Sequence, residues 1–303
     1  MRIKKSQIEL ICKKLNTSLI KSKYLSKGNH NTNYLLGTSK GRYILRIENN
    51  LQFKNLNKEY RFLKHAKFNF GPKVFLFDNT HQIIQRDYLI EEFIEGKHPP
   101  KKPNDDFVIS MAKWFKNLHI ITKKSSKKYS LLSAIKPYYN NYQKYNSYIK
   151  DDKLRQKLEL YLKEVLRICK ENNNIFANRK YLSLLHNDSS NENIFYKKNY
   201  VRLIDWEFTS YGLPERELIY FIDSYDLTSK QINQFLKTYG YPNTVLAKKQ
   251  LSISYLTLLC SSIGYSLWRM DLVKDQKSRK EINKRLLRDI NKLDGVLKEY
   301  GKA

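Results

Sequence analysis

Cysteine is scarce in this sequence of 303 residues, which contains only three. Cys12, Cys169 and Cys260 are far apart and form no C-x-x-C pair, so neither a zinc knuckle nor a disulfide framework is indicated. A reducing compartment is the simpler interpretation, and the first residues lack the apolar core of a signal peptide. We therefore expect a cytoplasmic protein.

Acidic residues are also scarce relative to basic ones. The chain has 29 Asp and Glu against 57 Lys and Arg, which gives a formal net charge of +28. Such an excess can attract nucleic acid, an anionic membrane or a phosphorylated small molecule, or it can reflect a compositional bias toward Lys, Asn, Ile and Tyr. The basic residues are spread along the chain instead of being gathered in a tail. This favours the compositional explanation, and we do not expect a nucleic-acid partner.

Long apolar runs are rare, and one uncharged stretch, residues 251–268, needs consideration as a membrane span. It holds five serines, a threonine and Gly264, and it lies between Lys248-Lys249 and Arg269. These residues predict a buried core helix and no membrane span. With 41% apolar and 28% charged residues, the chain can form a sizeable core, which excludes wholesale disorder.

The order of the predicted elements indicates an α+β fold with two lobes. Strands are predicted in the first third, a helix over 51–69, and a hinge near 92–103 that contains several prolines. Helices follow near 105, over 151–173 and from 229 onward, and three short apolar runs between 182 and 204 interrupt them. We place a small, strand-rich N-terminal lobe at 1–95 and a larger, mainly helical lobe at 96–303.

The most informative segment is a histidine–aspartate–asparagine pattern. His186, Asp188 and Asn193 form an H-x-D-x4-N string, and the next apolar run ends in Asp205, followed by Trp206-Glu207. Such a loop can place the Asp188 carboxylate beside a substrate hydroxyl, where it orients the hydroxyl and accepts its proton. Asn193 and Asp205 supply the oxygen ligands that Mg²⁺ prefers. The pattern therefore predicts phosphoryl transfer, which depends on positioning and charge neutralisation.

These motifs resemble the catalytic and metal-binding loops of the aminoglycoside phosphotransferase/choline kinase family. The form H-N-D with D-W-E is most similar to the choline, ethanolamine and thiamine kinases. Residues 25–34 resemble the family's phosphate-covering loop, 43–47 its third strand, and 89–96 its hinge. The resemblance covers residues 23 to about 223. It implies a bilobal protein-kinase-like fold, with a small antiparallel sheet in the N-terminal lobe, and an enzyme that uses ATP and Mg²⁺.

The resemblance also implies a role for each matching residue. Asp188 is the catalytic base, Asn193 and Asp205 hold Mg²⁺, and Glu207 contacts a second metal or the substrate. Arg46 stands where the family has a basic residue on the α- and β-phosphates. Glu59 is the acidic partner of Arg46. Ser26, Gly28 and Asn33 lie at the phosphates. The backbone of Glu91, Glu92 and Phe93 binds adenine.

Two features depart from the family pattern, and two histidines have a purely structural explanation. The phosphate loop has one glycine where other members have two, and Glu217 replaces an aspartate after the metal motif. His186 is expected to organise its loop, and His119 to be a hydrogen-bonded core histidine.

The acceptor is the least determined part of the prediction. Trp206 and several aromatic residues of the last third favour a quaternary ammonium alcohol such as choline, or ethanolamine, although a helical core also buries aromatic rings. An aminoglycoside or other sugar is the alternative acceptor, because Glu215, Glu217, Asp223 and Asp226 could supply local acidity. A non-catalytic nucleotide-binding or RNA-associated protein is the third hypothesis. The sequence does not give the oligomeric state.

Overall fold

The computed structural model describes residues 3–27, 31–49, 55–65, 70–125, 129–197 and 200–300. Contacts group the chain into two compact units. The first, which we call the sheet unit, comprises Met1–Leu118 and Leu185–Ser210, and the second, the helical unit, comprises His119–Leu184 and Tyr211–Ala303. Residues 185–210, which include the predicted catalytic loop, thus group with the N-terminal strands. The predicted lobe boundary after residue 95 stays a prediction.

Helices and strands follow the predicted order. The first part of the chain forms α1 (Lys5–Lys14), β1 (Leu19–Lys27), β2 (Asn31–Thr38), β3 (Gly41–Glu48), α2 (Asn55–His65), β4 (Val74–Asp78), β5 (Tyr88–Glu92), α3 (Asp105–His119), β6 (Thr122–Lys124), α4 (Leu131–Tyr145) and α5 (Asp152–Glu171). The second part forms β7 (Tyr181–Leu185), β8 (Ile194–Lys197), β9 (Tyr200–Leu203), β10 (Ser210–Gly212), α6 (Pro214–Ser224), α7 (Ser229–Tyr239), α8 (Val245–Leu272) and α9 (Gln276–Tyr300). The mixed α+β class is confirmed.

The sheet unit is built on a five-stranded antiparallel sheet in the order β1-β2-β3-β5-β4. Successive residues of a strand point to opposite faces, so Leu45 and Ile47 pack into a core with Ile8 and Ile11 of α1. Arg46, between them in sequence, therefore lies on the other face. The β2–β3 turn uses Gly41 at a φ of 128°, a conformation that glycine adopts without a steric penalty.

Helices α1 and α4, like α6, were not among the predicted elements. Helix α1 carries Ile8, Ile11 and Cys12 on its buried side. This spacing is helical, so the hydrophobic pattern was present in the sequence, although the helix is only ten residues long. Helix α4 begins at a conventional N-cap, where the Ser130 hydroxyl accepts a hydrogen bond from the backbone N–H of Ser133. Both helices could therefore have been found from the sequence.

Helix α8 forms the centre of the helical unit. It begins at Thr244, whose hydroxyl accepts a hydrogen bond from the backbone N–H of Ala247, and it packs against α4, α6 and α9. By length and composition α8 could cross a membrane, but 67% of its most apolar 18-residue window is buried inside the protein. The predicted stretch 251–268 thus lies in a core helix, as expected.

Gly264 brings α8 into close contact with α4, which gives a test of the packing. A Cβ atom at this position would lie 2.3 Å from the Tyr138 carbonyl oxygen, whereas a Cβ at Gly295 in α9 would meet nothing within 4 Å. We expect Gly264→Ala to lower the free energy of unfolding by about 1–3 kcal/mol, because a packed backbone must move. The matched control Gly295→Ala should raise it by up to about 1 kcal/mol, since alanine is the better helix former. Urea unfolding measures both, and a Gly264→Ala protein as stable as the parent would contradict this packing.

Candidate active site

One row of side chains crosses the first three strands of the sheet. Ser26 of β1 pairs with Asn33 of β2, and Asn33 pairs with Arg46 of β3, so all three lie on the same face. The Asn33 amide donates a hydrogen bond to the Ser26 hydroxyl over 3.2 Å. The structure therefore brings together three residues that were predicted to face a nucleotide phosphate. Gly28, the fourth, lies outside the described residues.

Arg46 is the centre of a buried group of charges. Its Nη1 donates to a Glu59 carboxylate oxygen of α2 over 2.6 Å, and its Nη2 donates to Asp205 over 2.9 Å. Glu91 of β5 lies 3.8 Å from Nη1, on the diagonal that the β3–β5 register produces. The Arg46 side chain is only 6% exposed, so it is not a solvent-facing strand residue. Glu59 is its acidic partner, as the resemblance implied.

The crowding of carboxylates around one guanidinium changes their protonation. Burial is the largest cause that raises the pKa of Glu91, to about 8, and the neighbouring carboxylates of Glu59 and Asp205 add to it although Arg46 opposes it. Burial likewise raises the pKa of Glu59. The pKa of Arg46 is raised by its carboxylate partners, which outweigh burial. The guanidinium is thus permanently charged, while burial favours the neutral form of both Glu59 and Glu91.

The predicted catalytic loop is held by its own residues. Asn193 donates from its amide nitrogen to a carboxylate oxygen of Asp188 over 2.8 Å, which leaves the amide oxygen on the other side. The backbone N–H of Asp188 donates to Nδ1 of His186 over 3.2 Å. His186 therefore organises the loop, as expected, and carries its proton on Nε2. Burial raises the pKa of Asp188.

The segment predicted to bind a metal, residues 205–207, which we call the metal-binding segment, is fixed by helix α2. Asp205 has a φ of 66° and a ψ of 65°, a left-handed conformation that is strained for an aspartate and is typical of functional sites. The backbone N–H of Trp206 donates to Glu59 over 3.0 Å, and the ammonium of Lys58 donates to the carbonyl of Glu207 over 2.9 Å. Two consecutive helix residues thus bind backbone groups of the two residues that follow Asp205.

The catalytic and metal-binding segments are also bonded directly to each other. The backbone N–H of Ile204 donates to the carbonyl of Asn193 over 2.9 Å, and Nε2 of His186 donates to the carbonyl of Ile204 over 3.0 Å. The amide nitrogen of Asn187 donates to the carbonyl of Phe208 over 3.0 Å. The structure therefore places Asp188 and Asn193 beside Asp205, and their charges interact: the carboxylate of Asp205 contributes to the raised pKa of Asp188.

Residues of the predicted adenine-binding segment also contact other parts of the sheet unit. Both carboxylate oxygens of Glu92 accept from Arg202 of β9 over 2.7 Å, which lowers the pKa of Glu92, and its backbone N–H donates to the carbonyl of Lys73. The ring of Phe93 lies under the guanidinium of Arg42 at 4.3 Å. The Glu92 side chain thus joins the β8–β9 hairpin to the sheet.

Four contributions to the site were missed from the sequence. They are the Glu91 side chain, Lys58, Asn187 and Arg202, whose partners are given above. Glu91 was predicted to contribute only backbone groups. Lys58 directly precedes Glu59, and Asn187 lies inside the H-N-D motif, so their positions were visible, but their partners are about 20 to 150 residues away. Sequence spacing alone does not indicate such partners.

Trp206, a candidate for binding a quaternary ammonium group, and His119 both have structural roles. Trp206 is fully buried, with its ring stacked on Phe62 at 5.0 Å and against His186 at 4.5 Å, so it has no exposed face for a quaternary ammonium group. His119 is hydrogen-bonded through Nε2 to Glu217 over 2.9 Å, with both side chains buried. His119 is therefore a core histidine, as expected.

The residues of the site fit a magnesium ion. Among the described residues, no group of three or more His, Cys, Asp or Glu side chains could hold a metal ion. The predicted donors are a different set, namely the Asp205 carboxylate, the Asn193 amide oxygen and the Glu207 carboxylate. Mg²⁺ keeps waters and binds substrate phosphates, so one or two carboxylates are enough. The acidic side chains around Arg46 and Lys58 outnumber these two basic ones, which favours binding of a divalent cation.

Comparison with known proteins gives a consistent result. The phosphotransferase enzyme family matches residues 21–248. A protein named "Protein LicA homolog" from Mycoplasma capricolum subsp. capricolum is 25% identical over 255 residues, which cover 78% of this chain and 87% of that protein. The solved choline kinase LicA from Streptococcus pneumoniae is 18% identical with a TM-score of 0.69, over 96% of this chain and 99% of that one. The ADP-bound aminoglycoside phosphotransferase APH(2'')-Ib has the same identity and a TM-score of 0.61, over 96% and 97%. The protein-kinase-like fold is thereby confirmed.

The raised pKa of Glu91 predicts a specific dependence of stability on pH. In the unfolded chain a glutamate ionises near pH 4.3, whereas folded Glu91 stays protonated up to about pH 8. The contribution of Glu91 to stability is therefore complete below pH 4 and is lost as the pH rises toward 8. We expect Glu91→Gln to be more stable than the parent at pH 8 by about 1–3 kcal/mol, and this gain to vanish near pH 4.

Urea unfolding at the two pH values measures this difference. Glu95→Gln is the matched control, because Glu95 is an exposed carboxylate of the same segment that pairs with Arg42 on β3. The free energy of unfolding of Glu95→Gln should differ from that of the parent by less than about 0.5 kcal/mol at both pH values. A Glu91→Gln protein that is less stable than the parent at pH 8 would show that Glu91 is ionised and stabilising.

Proposed function

Because the chain belongs to the phosphotransferase enzyme family, we propose that it transfers the γ-phosphate of ATP to the hydroxyl group of a small alcohol, with choline as the first candidate. The observation that carries this proposal is the buried Arg46 guanidinium, which bonds Glu59 and Asp205 at once. A cation held between a helix carboxylate and a metal-binding carboxylate is suited to nucleotide phosphates.

The acceptor hydroxyl would be activated by Asp188. Its carboxylate is oriented by the Asn193 amide and by the backbone bond to His186, so it has a fixed direction before the substrate arrives. The oxygen of Asp188 would accept the hydroxyl proton as the bond to phosphorus forms. Burial raises the pKa of Asp188 toward the range in which a carboxylate is a better base.

Nucleotide and metal would be bound by the other residues of the site. Arg46 would contact the phosphates, with Ser26 and Asn33 beside it on the same sheet face. Gly28, which lies outside the described residues, would be the fourth residue at the phosphates. Asp205, Asn193 and Glu207 would hold Mg²⁺, which would neutralise the charge of the phosphates when it is bound. The backbone of Glu91, Glu92 and Phe93 would lie at adenine.

The choice of choline is supported by the relatives. One curated relative is called a LicA homolog, and a structural neighbour is the choline kinase LicA. An ethanolamine kinase from Plasmodium vivax is also similar in fold, with a TM-score of 0.65, so ethanolamine is the second candidate. The three cysteines are buried free thiols, which agrees with the proposed cytoplasmic location.

An aminoglycoside is the alternative acceptor, since an enzyme of that type shares the fold. A polycation needs acidic side chains that are available to it. Three of the four acidic side chains that could have supplied them are already paired within the helical unit: the buried Glu215 with Arg179, the buried Glu217 with His119, and the half-buried Asp223 with Lys292. This pairing favours a smaller alcohol over an aminoglycoside.

Replacement of the base provides a direct test. We expect Asp188→Asn to lower kcat by at least about a hundredfold, because the amide cannot accept the proton, while binding of ADP with Mg²⁺ stays within threefold. Initial rates and calorimetric titration with ADP measure the two effects. Asp152→Asn is the control, since Asp152 is exposed and paired only with a helix neighbour. If Asp188→Asn retains activity within tenfold of the parent, Asp188 is not the base.

A panel of alcohols distinguishes the candidate acceptors. The purified protein is incubated with Mg²⁺ and ATP labelled on the γ-phosphate, together with choline, ethanolamine, thiamine or an aminoglycoside. We expect choline to have the highest kcat/KM and the aminoglycoside to be at least about a hundredfold lower, because the acidic groups that would bind it are already paired. Omission of Mg²⁺ should abolish transfer. The highest kcat/KM for an aminoglycoside would reverse the assignment.

A further inference from the structure

Asn187 is the middle residue of the H-N-D motif, and the mechanism above gives it no role. It has a φ of 68°, a left-handed conformation that asparagine tolerates better than most residues. Its amide nitrogen donates to the carbonyl of Phe208 over 3.0 Å and to the hydroxyl of Ser210 over 2.9 Å. The residue thus joins the position directly before Asp188 to a segment about 20 residues later.

The Asn187 side chain is one of two attachments between the catalytic loop and the metal-binding segment, and His186 is the other. His186 donates to the carbonyl of Ile204, which precedes Asp205, and Asn187 donates to the carbonyl of Phe208, which follows Glu207. Consecutive residues of the catalytic loop therefore hold the segment on both sides. Residues 205–207 contain two of the predicted metal ligands, and Asp205 is in a strained conformation that requires outside support.

We propose that Asn187 is a positioning residue, whose side chain fixes the metal-binding carboxylates relative to Asp188. The inference rests on the proposed function, since it assigns Asn187 to the same site. Loss of the side-chain bonds would remove the attachment of the catalytic loop at Phe208, while the bonds of His186, Glu59 and Lys58 to residues 204, 206 and 207 would remain. The segment would then place its carboxylates less accurately, and a displacement of about 1 Å can reduce a rate about a hundredfold.

The conformation of Asn187 allows the side chain to be tested apart from the backbone. Glycine adopts the left-handed conformation freely, so Asn187→Gly removes the amide without straining the backbone. Asn187→Asp keeps the size of the side chain but cannot donate to the Phe208 carbonyl. Asn16 is a matched control, because it is an exposed asparagine at a φ of 52° just after α1.

The first measurement is ADP binding by calorimetry, with and without Mg²⁺, which needs no acceptor. We expect Mg²⁺ to tighten ADP binding in the parent, and this enhancement to fall at least about fivefold in Asn187→Gly and Asn187→Asp. Binding of ADP without Mg²⁺ should stay within twofold, since Arg46 is untouched. The second measurement is kcat with the best acceptor, which should fall about tenfold or more, with little change in KM for that acceptor. Asn16→Gly should match the parent in each measurement.

The outcomes separate the inference from the proposed function. A full Mg²⁺ enhancement in Asn187→Gly, or a kcat within twofold of the parent, would overturn the role of Asn187 alone. An equal weakening of ADP binding with and without Mg²⁺ would also overturn it, because it would show a general loss of structure. If the parent itself binds ADP no more tightly with Mg²⁺, the proposed function fails and the inference fails with it.

Discussion

The buried guanidinium of Arg46 is the interaction on which the rest of the site depends. It lies on the face of the sheet opposite the apolar core, and its partners come from helix α2, from β5 and from the segment after β9. A charge removed from water is stable only when it is paired and hydrogen-bonded. Each of these elements must therefore be in place before the group is satisfied, so the site depends on the complete sheet unit.

The site combines strain with the bonds that maintain it. Asn187 and Asp205 both have left-handed backbones, and each lies next to or within the chemistry assigned here. Their conformations persist because neighbouring residues form hydrogen bonds to the backbone of residues 204–208. The stability of the sheet unit is thus used to hold side chains in directions that a relaxed loop would not maintain. Glu91 is a related case, since a buried carboxyl with a raised pKa lowers stability near neutral pH.

The local charge of the site differs in sign from that of the whole chain. The chain carries +28, but Arg46 and Lys58 are outnumbered at the site by the acidic groups of Glu59, Asp188, Asp205 and Glu207, even without Glu91, which is mostly protonated near neutral pH. An acidic centre of this kind attracts a divalent cation, and the basic remainder of the protein attracts the phosphates that accompany it. The overall excess of positive charge is therefore compatible with a nucleotide-dependent enzyme and requires no nucleic acid.

The sequence by itself determined the family and the order of most strands and helices, and it indicated the residues that we propose for the chemistry. Such information is local: Asp188 and Asn193 lie five residues apart, and Asp205 ends the next apolar run, so one loop and one hairpin contain the pattern. Only the tertiary structure decided that the Glu91 side chain faces Arg46, that Trp206 is a core residue, and that Lys58 and Asn187 hold the metal-binding segment. These facts depend on strand register and on contacts between residues about 20 to 150 positions apart. A chain's periodicity predicts which face of an element is buried, but it does not predict which distant group that face will meet.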